Sequence, residues 1–537
     1  MEDGIGPRGT TGTQVKAIRG RHYLYEREGY WDSVAQKKKY RNYRSLGPCD
    51  EHGNLLGTQR VDIEGIHSSA PVGPLAVFWA ACQQLNVVER VEKVVGDALH
   101  ARIVVALALN QLTGRRALDG VSEWLGEGPL PNWLGFDADK VNRSRLDATL
   151  SALCLHRQDG SIHDRGLLVQ ESLTRAWRGQ TREPAQYFYD VTKAVYHGST
   201  CELAEPGYHP EGTRKNVVGF GLVVSRKNHH PVLCRAIHGG RNDTITVEET
   251  IETLQAFGLR SLTFVGDRGM VSKANLDALR AKGYHQIGIV PGTHKAAWQE
   301  LSRYSDEEME QPAHLAPRPS GALYARAWNG ELMGQPVRFA LVLDPMRRAA
   351  EKRNRDLLLH EAENTTDDKR QQEIRHALGG IAVKSLGRRG WRIDQDRVKQ
   401  DAHADGRFLM FSTDMKLSAK DIISIYSERE TIEHAFRTIK NDLVLEPLRY
   451  HRADRVHAYS TIIYIAWLLW SWVERALARK HANLSLHKAV ALLERVHLVQ
   501  FAAQKGRREW ITRPTKLQES LLKDLGALPL LQRTHGS

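Results

Sequence analysis

The sequence is poor in cysteine. Its five cysteines are Cys49, Cys82, Cys154, Cys201 and Cys234, an odd number with no two at CxxC spacing. This usage argues against a disulfide framework and a zinc knuckle, and it is typical of a reducing cytosol. The first twenty residues contain no apolar core of the kind that a secretory signal requires, so we expect a cytoplasmic protein.

Long hydrophobic runs are also lacking. Residues 456–473 carry no formal charge, but a histidine, two serines and a threonine interrupt them, and the longest unbroken apolar run there is residues 462–470. A membrane-spanning helix needs about 20 mostly apolar residues, so this segment predicts a buried helix of a protein outside the membrane. No GxxxxGK[ST] motif follows a strand, so no use of ATP is expected. The pair His229-His230 has no partner at ligand spacing, so no zinc site is expected.

Positive charge is in excess. Lys and Arg number 76 against 63 Asp and Glu, giving a net charge of +13. The composition is otherwise that of a globular protein, with 41% hydrophobic and 26% charged residues. A basic excess of this size favours a polyanionic partner, and nucleic acid is the leading candidate. The densest basic run lies at residues 37–44, and its cations are candidate phosphate contacts: Lys37, Lys38, Lys39, Arg41 and Arg44. A solvated charge run is the alternative interpretation.

Changes of pattern along the chain predict six regions. Residues 73–180 have apolar residues at helical spacing, whereas short strand patterns begin near residue 186. The predicted regions are a basic, strand-containing segment (1–72), a helical DNA-binding domain (73–180), the first part of a catalytic core (181–296), a β-rich insertion (297–405), the second part of the core (406–475) and a C-terminal helical region (476–537). Within the insertion, residues 323–344 predict a hairpin that turns at Asn329-Gly330.

The order of elements in the core predicts a mixed sheet. Three strand patterns follow each other from residue 186, and then a helix, a strand, a helix and a strand alternate. Short loops between the first three strands indicate an antiparallel meander, and the helical crossovers add strands in parallel. The predicted fold class is therefore α/β.

Three carboxylates stand out by position in this core. Asp190 lies inside the first strand, where propensity disfavours it, and Asp267 ends the strand LTFVG. Carboxyl ends of strands are where sites gather in α/β sheets. Asp243 is the rival to Asp267, although its position before a helix favours an N-cap. The third carboxylate, Glu433, belongs to the helical pattern that begins at Ser418.

The helical pattern after Ser418 places four polar residues in one row. At 100° per residue, Tyr426, Arg429, Glu433 and Lys440 fall within an arc of about 60°, beside the apolar face. A solvated face with ordinary i,i+4 ion pairs is the alternative. Two strand carboxylates and one helix glutamate in such a sheet indicate an RNase H-like site. Phosphodiester cleavage there uses two hard cations, for which carboxylate oxygens are the preferred ligands.

These residues resemble a known family. Tyr426-x2-Arg429-x3-Glu433-x6-Lys440 matches the YREK signature of bacterial insertion-sequence DDE transposases at all four positions, in the insertion-sequence-four superfamily. FYDVT around Asp190 and VGDRGM around Asp267 are similar to the two Asp motifs of that family. The resemblance covers roughly residues 180–475 and is nearest to the branch with a long N-terminal region.

The resemblance implies a role for each matched residue. Asp190 would bridge two Mg²⁺ ions, for which Mn²⁺ would substitute, while Asp267 and Glu433 would each help to hold one ion. Tyr426, Arg429 and Lys440 would contact phosphates of the transposon end. In some relatives a tryptophan of the insertion stacks on a flipped base, and Trp328 is a candidate for that role, although hairpin packing is the favoured interpretation.

The expected function is cut-and-paste DNA transposition. The protein would bind the terminal inverted repeats of its element as a dimer, cleave the strands and join them to target duplex DNA. Two alternatives remain: a non-catalytic DNA-binding relative of a transposase, and a structure-selective RNase H-like nuclease. The complete carboxylate set and YREK row favour the transposase.

Overall fold

The computed structural model of the chain divides into two units, which we describe separately. The first unit comprises residues 1–69 and 499–510, and the second comprises residues 70–498 and 511–537. The structure describes residues 11–18, 21–32, 34–53, 63–157, 159, 161–180, 186–208, 214–226, 229–240, 243–259, 262–266, 268–291, 299–318, 321–378, 383–385, 391–443, 445, 448, 450–503 and 506–532.

The described residues of the first unit form strands, whereas those of the second unit form both strands and helices. The strands are β1 Thr11–Ile18, β2 Arg21–Asp32, β3 Lys37–Cys49, β4 Ile63–Pro71, β5 Cys154–His156, β6 Ile162–Asp164, β7 Gln186–Val195, β8 Glu205–Tyr208, β9 Arg214–Ser225, β10 Pro231–His238, β11 Thr263–Val265, β12 His285–Ile289, β13 Leu315–Arg318, β14 Gly321–Leu332, β15 Gln335–Leu343, β16 Val383–Ser385, β17 Trp391–Ile393, β18 Arg407–Ser412, β19 His497–Ala503 and β20 Gly506–Ile511.

The α-helices are α1 Gly73–Gln84, α2 Val87–Val95, α3 Ala98–Leu109, α4 Val121–Glu127, α5 Leu130–Leu134, α6 Arg143–Leu153, α7 Gly166–Gln180, α8 Asp243–Ala256, α9 Lys273–Ala281, α10 Asp306–Met309, α11 Pro345–Asn364, α12 Asp368–Ala377, α13 Gln395–Ala402, α14 Ala419–Ser427, α15 Glu430–Arg437, α16 Ala453–Lys480, α17 Leu486–Leu493, α18 Lys516–Asp524 and α19 Leu528–Gln532. Short 3₁₀ turns lie at Leu118–Gly120, Ala138–Lys140, Arg268–Met270 and Pro312–His314, and π-helical turns lie at Asn110–Gly114 and Thr438–Asp442.

The first unit contains two three-stranded sheets. Strands β1, β2 and β3 form an antiparallel sheet in that order, and the second sheet has the order β20-β19-β4. The turn between β2 and β3 is held by Asp32, whose carboxylate accepts hydrogen bonds from the backbone N–H groups of Val34 (3.1 Å) and Ala35 (2.9 Å). Such Asx turns explain why aspartate is favoured at the start of a tight turn. The strands β19 and β20 correct the expectation that residues 476–537 are entirely helical.

A mixed sheet forms the centre of the second unit. Its order is β10-β9-β7-β11-β12-β18-β15-β14-β13, with β8 paired to β9. The pairs β7–β9 and β9–β10 are antiparallel, whereas β11 lies parallel to both β7 and β12. The predicted meander and its parallel crossover are thus confirmed. The parallel register pairs Val265 with Phe188, which brings the carboxyl end of β11 beside the amino-terminal part of β7, two residues before Asp190.

The predicted insertion contributes strands to this same sheet. β15 pairs with β18, so β13, β14 and β15 continue the central sheet instead of forming a separate one. The hairpin turns at Met333-Gly334, where φ is +54° and +83°, and not at Asn329-Gly330 as predicted. Gly330 lies inside β14, opposite Val337, and a Cβ there would come within 2.8 Å of the Phe339 ring. This glycine therefore serves close packing in the sheet.

Helix α16 lies in the core of the second unit. It packs against β10 and against the helices α1, α3, α6 and α7. By length and composition it is the one candidate membrane span among the described helices, but 89% of its most apolar window is buried inside the protein. Its Tyr464 hydroxyl shares a 2.8 Å hydrogen bond with Thr174 of α7, also buried. The prediction of a buried core helix is confirmed.

Helix α7 also covers an edge of the central sheet. The buried Gln170 side chain donates to the Cys234 carbonyl and accepts from the Cys234 N–H, both at 2.9 Å. Because β10 is an edge strand, these groups have no neighbouring strand on that side. One glutamine therefore takes the place of a strand partner and protects the edge from pairing with another chain.

Candidate active site

Asp190 occupies the middle of the central strand β7. It pairs in register with Leu222 of β9, and its carboxylate accepts a 2.8 Å hydrogen bond from the Val191 N–H. Alternation along the strand puts Asp190 on the same face as Phe188 and Ala194, and it is half-buried whereas those two are fully buried. The Asp190 side chain is thus partly exposed to solvent on a strand whose neighbouring side chains on the same face are buried.

The second predicted carboxylate, Asp267, lies outside the described residues. Its neighbours in sequence are described: Gly266 donates to the Ile287 carbonyl at 3.4 Å, and Arg268–Met270 form a 3₁₀ turn with Met270 buried. The rival carboxylate, Asp243, is the first residue of α8, and its side chain is also outside the described part.

The helical segment that carries the YREK row is not one straight helix. Helix α14 begins with a Ser418–Asp421 capping box and ends at Ser427, and α15 starts at Glu430. The chain then widens into a π-helical turn at Thr438–Asp442. The prediction of a single regular helix from residue 426 to residue 440 is therefore wrong.

Three residues of the row nevertheless meet across the first break. Arg429 donates to the Tyr426 hydroxyl at 3.2 Å, and its guanidinium carbon lies 5.8 Å from the centroid of that ring. The second terminal nitrogen of the Arg429 guanidinium, Nη2, lies 3.7 Å from a carboxylate oxygen of Glu433. Glu433 is 56% exposed, so its carboxylate faces solvent from the first turns of α15. Lys440 lies on the π-helical turn and makes no ion pair within the described part of the chain.

Helix α15 packs against strand β7. Its apolar residues Ile432 and Ala435, together with Ile439 of the π-helical turn that follows, are buried in the hydrophobic cluster that also contains Phe188 and Ala194, the residues on the Asp190 face of β7. The helix that carries Glu433 therefore covers the face of the sheet to which Asp190 belongs. The structure brings these two elements together, as the sequence predicts.

The helix break is attached to the sheet by an ion pair that sequence patterns did not reveal. Arg226, the residue after β9, binds Glu428 with two hydrogen bonds of 2.6 and 2.5 Å. The same guanidinium donates to Gln186 Oε1, at the start of β7, at 2.6 Å. The partner of Glu428 lies 202 residues earlier in the sequence, so no local signal identifies this ion pair.

The donor chemistry of the site fits hard cations. Asp190 and Glu433 offer carboxylate oxygens, the ligands that Mg²⁺ and Mn²⁺ prefer. Among the described residues no three His, Cys, Asp or Glu side chains form a metal-binding group, and Asp267 is not in that set.

The five predicted phosphate contacts of the first unit all lie on β3. In register, Lys37, Lys39 and Arg44 face Asp32, Tyr30 and Glu26, and Lys39 forms an ion pair with Asp32. Lys38 faces Trp31 on the opposite side of the sheet. Arg41 pairs with Glu28 along the backbone, and its side chain is outside the described part. The basic run is thus divided between two faces.

Trp328 and His230 are both packing residues. Trp328 of β14 lies between Tyr304 and Phe339, with centroid distances of 5.9 and 5.6 Å. His230 is buried and stacks on Trp177 at 3.9 Å, and burial lowers its pKa well below the ordinary value. Its neutral ring is what an apolar core requires.

The comparisons with known proteins agree with this architecture. A search of curated proteins finds no match to the chain. The family model of the transposase DDE domain matches residues 182–469, a span that begins just before β7 and includes Asp190, Asp267 and Glu433. Since the match covers more than half of the chain, this protein belongs to the DDE transposase family.

Proposed function

We propose that the protein catalyses metal-dependent cleavage and strand transfer at the ends of its own mobile element, with Asp190, Asp267 and Glu433 as the catalytic carboxylates. The observation that carries the proposal is the packing of α15, the helix of Glu433, on β7, the strand of Asp190. The strand order β10-β9-β7-β11-β12 supports an RNase H-like core. DDE transposases generally use divalent metals.

The carboxylates would hold Mg²⁺ or Mn²⁺. When bound, the ions would activate the attacking oxygen and stabilise the leaving oxygen. The chain itself supplies the position of the ligands. β7 holds Asp190 through its backbone pairs, and Arg429 restrains Glu433 from one side while leaving more than half of it exposed. Asp267 follows β11, whose last residue, Val265, pairs with Phe188, two residues before Asp190.

The cations near Glu433 would hold the DNA backbone. Arg429 is 22% exposed and already donates to Tyr426, so the two together offer donors to a phosphate beside the carboxylates. Lys440, on the π-helical turn, would contact a phosphate further along the strand. In the N-terminal part, residues 1–180 would recognise the inverted repeat, with Lys37, Lys38, Lys39, Arg41 and Arg44 as phosphate contacts. Each such contact that is neutralised should lower the salt slope of duplex binding by about 0.9.

Cleavage of a duplex that carries the element's inverted repeat tests the proposal. If the metals contribute several kcal/mol, as is usual, Asp190→Ala and Glu433→Ala should each slow cleavage by at least about a thousandfold while leaving end binding largely intact. The matched control is Glu252→Ala. Glu252 is an exposed glutamate of α8, a helix that packs on the opposite face of β7 through Ile251 and Leu254.

The same assay decides which aspartate is the second ligand. Asp267→Ala should abolish cleavage, whereas Asp243→Ala should affect it little. The reverse result would assign the role to Asp243, and wild-type cleavage in Asp190→Ala would refute the proposed site.

A further inference from the structure

The β1–β3 sheet of the first unit has one face that combines aromatic and cationic side chains. Cross-strand partners point to the same side of a sheet, and alternate residues of a strand share a face. The register pairs Lys16 with Tyr23, Lys38 with Trp31, and Tyr40 with Gly29. We call the resulting set the cation–aromatic face, and it consists of Lys16, Tyr23, Tyr25, Arg27, Trp31, Lys38 and Tyr40.

Charge is distributed unequally between the two faces. The cation–aromatic face contains no carboxylate among its described residues. The acidic residues of β2 lie on the opposite face, where Glu26 faces Arg44 and Asp32 faces Lys37 and is paired with Lys39. On the opposite face carboxylates therefore offset most of the cations, whereas the cation–aromatic face keeps a net positive charge, which complements a polyanion.

Two aromatic side chains on this face are open to solvent. Trp31 is 63% exposed and Tyr40 is 50% exposed. Trp31 lies diagonally across from Tyr40, a position that separates their Cα atoms by about 7–8 Å in an antiparallel pair. Within the described part of the chain, no ring or cation stacks on the indole of Trp31. Exposed tryptophan is costly to leave in water, so a surface that keeps one beside cations has the character of a binding site.

The cations extend the aromatic surface. The guanidinium of Arg27 lies 4.7 Å from the centroid of the Tyr40 ring, and the Lys38 ammonium lies 5.6 Å from it. Gly29 makes this possible, because a Cβ there would come within 2.7 Å of the Lys38 side chain and 3.2 Å of the Tyr40 ring. The absent side chain lets Lys38 and Tyr40 lie across the sheet.

We propose that the cation–aromatic face binds unpaired, single-stranded DNA. Bases would stack on Trp31 and on the Tyr40–Arg27 pair, and Lys16 and Lys38 would contact the phosphates. Aromatic rings that alternate with cations suit a strand whose bases are accessible, since stacking needs a free π-face that a duplex does not offer. The inference rests on the proposed function, because it takes DNA as the partner. It adds that this DNA is single-stranded and that it binds on the β1–β3 sheet, neither of which follows from the carboxylate site.

The experiment compares two aromatic residues that are adjacent in sequence and lie on opposite faces. Binding of the full-length protein to a fluorescein-labelled oligothymidylate of about 15 nucleotides is measured by anisotropy. Loss of one stacked base should weaken binding about 5- to 100-fold in Trp31→Ala. Tyr30→Ala, which removes an aromatic side chain 43% exposed on the opposite face, should bind as the wild type does. Trp31→Phe should recover most of the affinity.

The phosphate contacts are tested by salt. Lys38→Gln should reduce the salt slope for oligothymidylate by about 0.7, whereas Lys282→Gln, which changes an exposed lysine after α9 in the second unit, should leave it unchanged. Equal effects of Lys282→Gln and Lys38→Gln would overturn the assignment of Lys38 as a phosphate contact.

Two results would overturn the proposal. One is unchanged oligothymidylate binding in Trp31→Ala. The other is an equal loss of affinity for a blunt duplex of the same length, which would make this a duplex-binding face. Failure of the proposed function has a different outcome. If the wild-type protein binds oligothymidylate through Trp31 but does not cleave element ends with Mg²⁺, the proposed function is refuted and this inference stands.

Discussion

The ion pair between Arg226 and Glu428 provides a direct test of how the site is positioned. The change is Arg226→Ala, which removes two hydrogen bonds to Glu428 and one to Gln186. These bonds join the break between α14 and α15 to the start of β7. Without them, the first turn of α15, which carries Glu433, loses its polar attachment to the strand that carries Asp190.

The expected effects on stability and on catalysis differ in size. The side chains are 23% and 41% exposed, so solvent screening limits the contribution of the pair to the free energy of unfolding to about 1 kcal/mol. A carboxylate ligand that shifts by about 1 Å, however, can cost roughly a hundredfold in rate. We therefore expect Arg226→Ala to lower the single-turnover cleavage rate roughly 10- to 100-fold at saturating DNA, with little change in stability or in DNA affinity.

The assay is single-turnover cleavage of an end duplex with Mg²⁺, alongside a thermal unfolding midpoint. Arg226→Lys keeps one charged contact and should give an intermediate rate. The matched control is Arg370→Ala, because Arg370 forms a bidentate pair with Glu361 between α11 and α12, at 2.6 and 3.0 Å. A cleavage rate in Arg226→Ala no lower than in Arg370→Ala would refute the positioning role.

Three further outcomes follow from other contacts. Gln170→Leu leaves the buried N–H and C=O of Cys234 without partners, so it should lower the free energy of unfolding by roughly 2–4 kcal/mol, and an unchanged thermal midpoint would contradict this. Burial holds the pKa of His230 well below 6.5 in the folded protein. Below pH 6.5 the unfolded chain therefore binds a proton at this histidine and the folded chain does not, so stability is lost as the pH falls. His230→Phe should remove roughly 1 kcal/mol of the loss in stability between pH 7 and 5.5, seen as a smaller acid-induced drop in the midpoint than in the wild type. On the proposed function, excess end DNA at low salt should restore cleavage in Lys440→Ala and not in Glu433→Ala; if it restores neither, Lys440 acts in the chemical step.

Local patterns were sufficient for the centre of the fold. Strands β7, β9 and β10 are runs of apolar and β-branched residues, and the short connection between β9 and β10 predicts an antiparallel pair. The helical crossovers after β10 then require parallel strands, as observed. Asp190 stood out for the same reason, because a carboxylate inside such a strand contradicts local propensity.

Contacts between distant segments were not predictable in this way. Every residue from Ser418 to Lys440 is compatible with a helix, and the break at Glu428 coincides with a partner that lies on another part of the chain. The hairpin turn was misplaced because Asn-Gly is a strong turn signal, whereas Gly330 is needed under the Phe339 ring. The sequence alone does not distinguish a glycine required for tertiary packing from a glycine required for a turn.

The second sheet of the first unit joins strands from the two ends of the chain. The hydroxyl of Ser68 in β4 donates to Gln500 in β19 at 3.1 Å, across 432 residues of sequence. At a synthesis rate of about 5–20 residues per second, β4 leaves the ribosome roughly 20 to 90 s before its partner exists. During that interval β4 has an unpaired edge, and a chain that terminates before β19 can never complete this sheet. Full-length translation is therefore a condition for completing the N-terminal unit, although most of that unit is synthesised first.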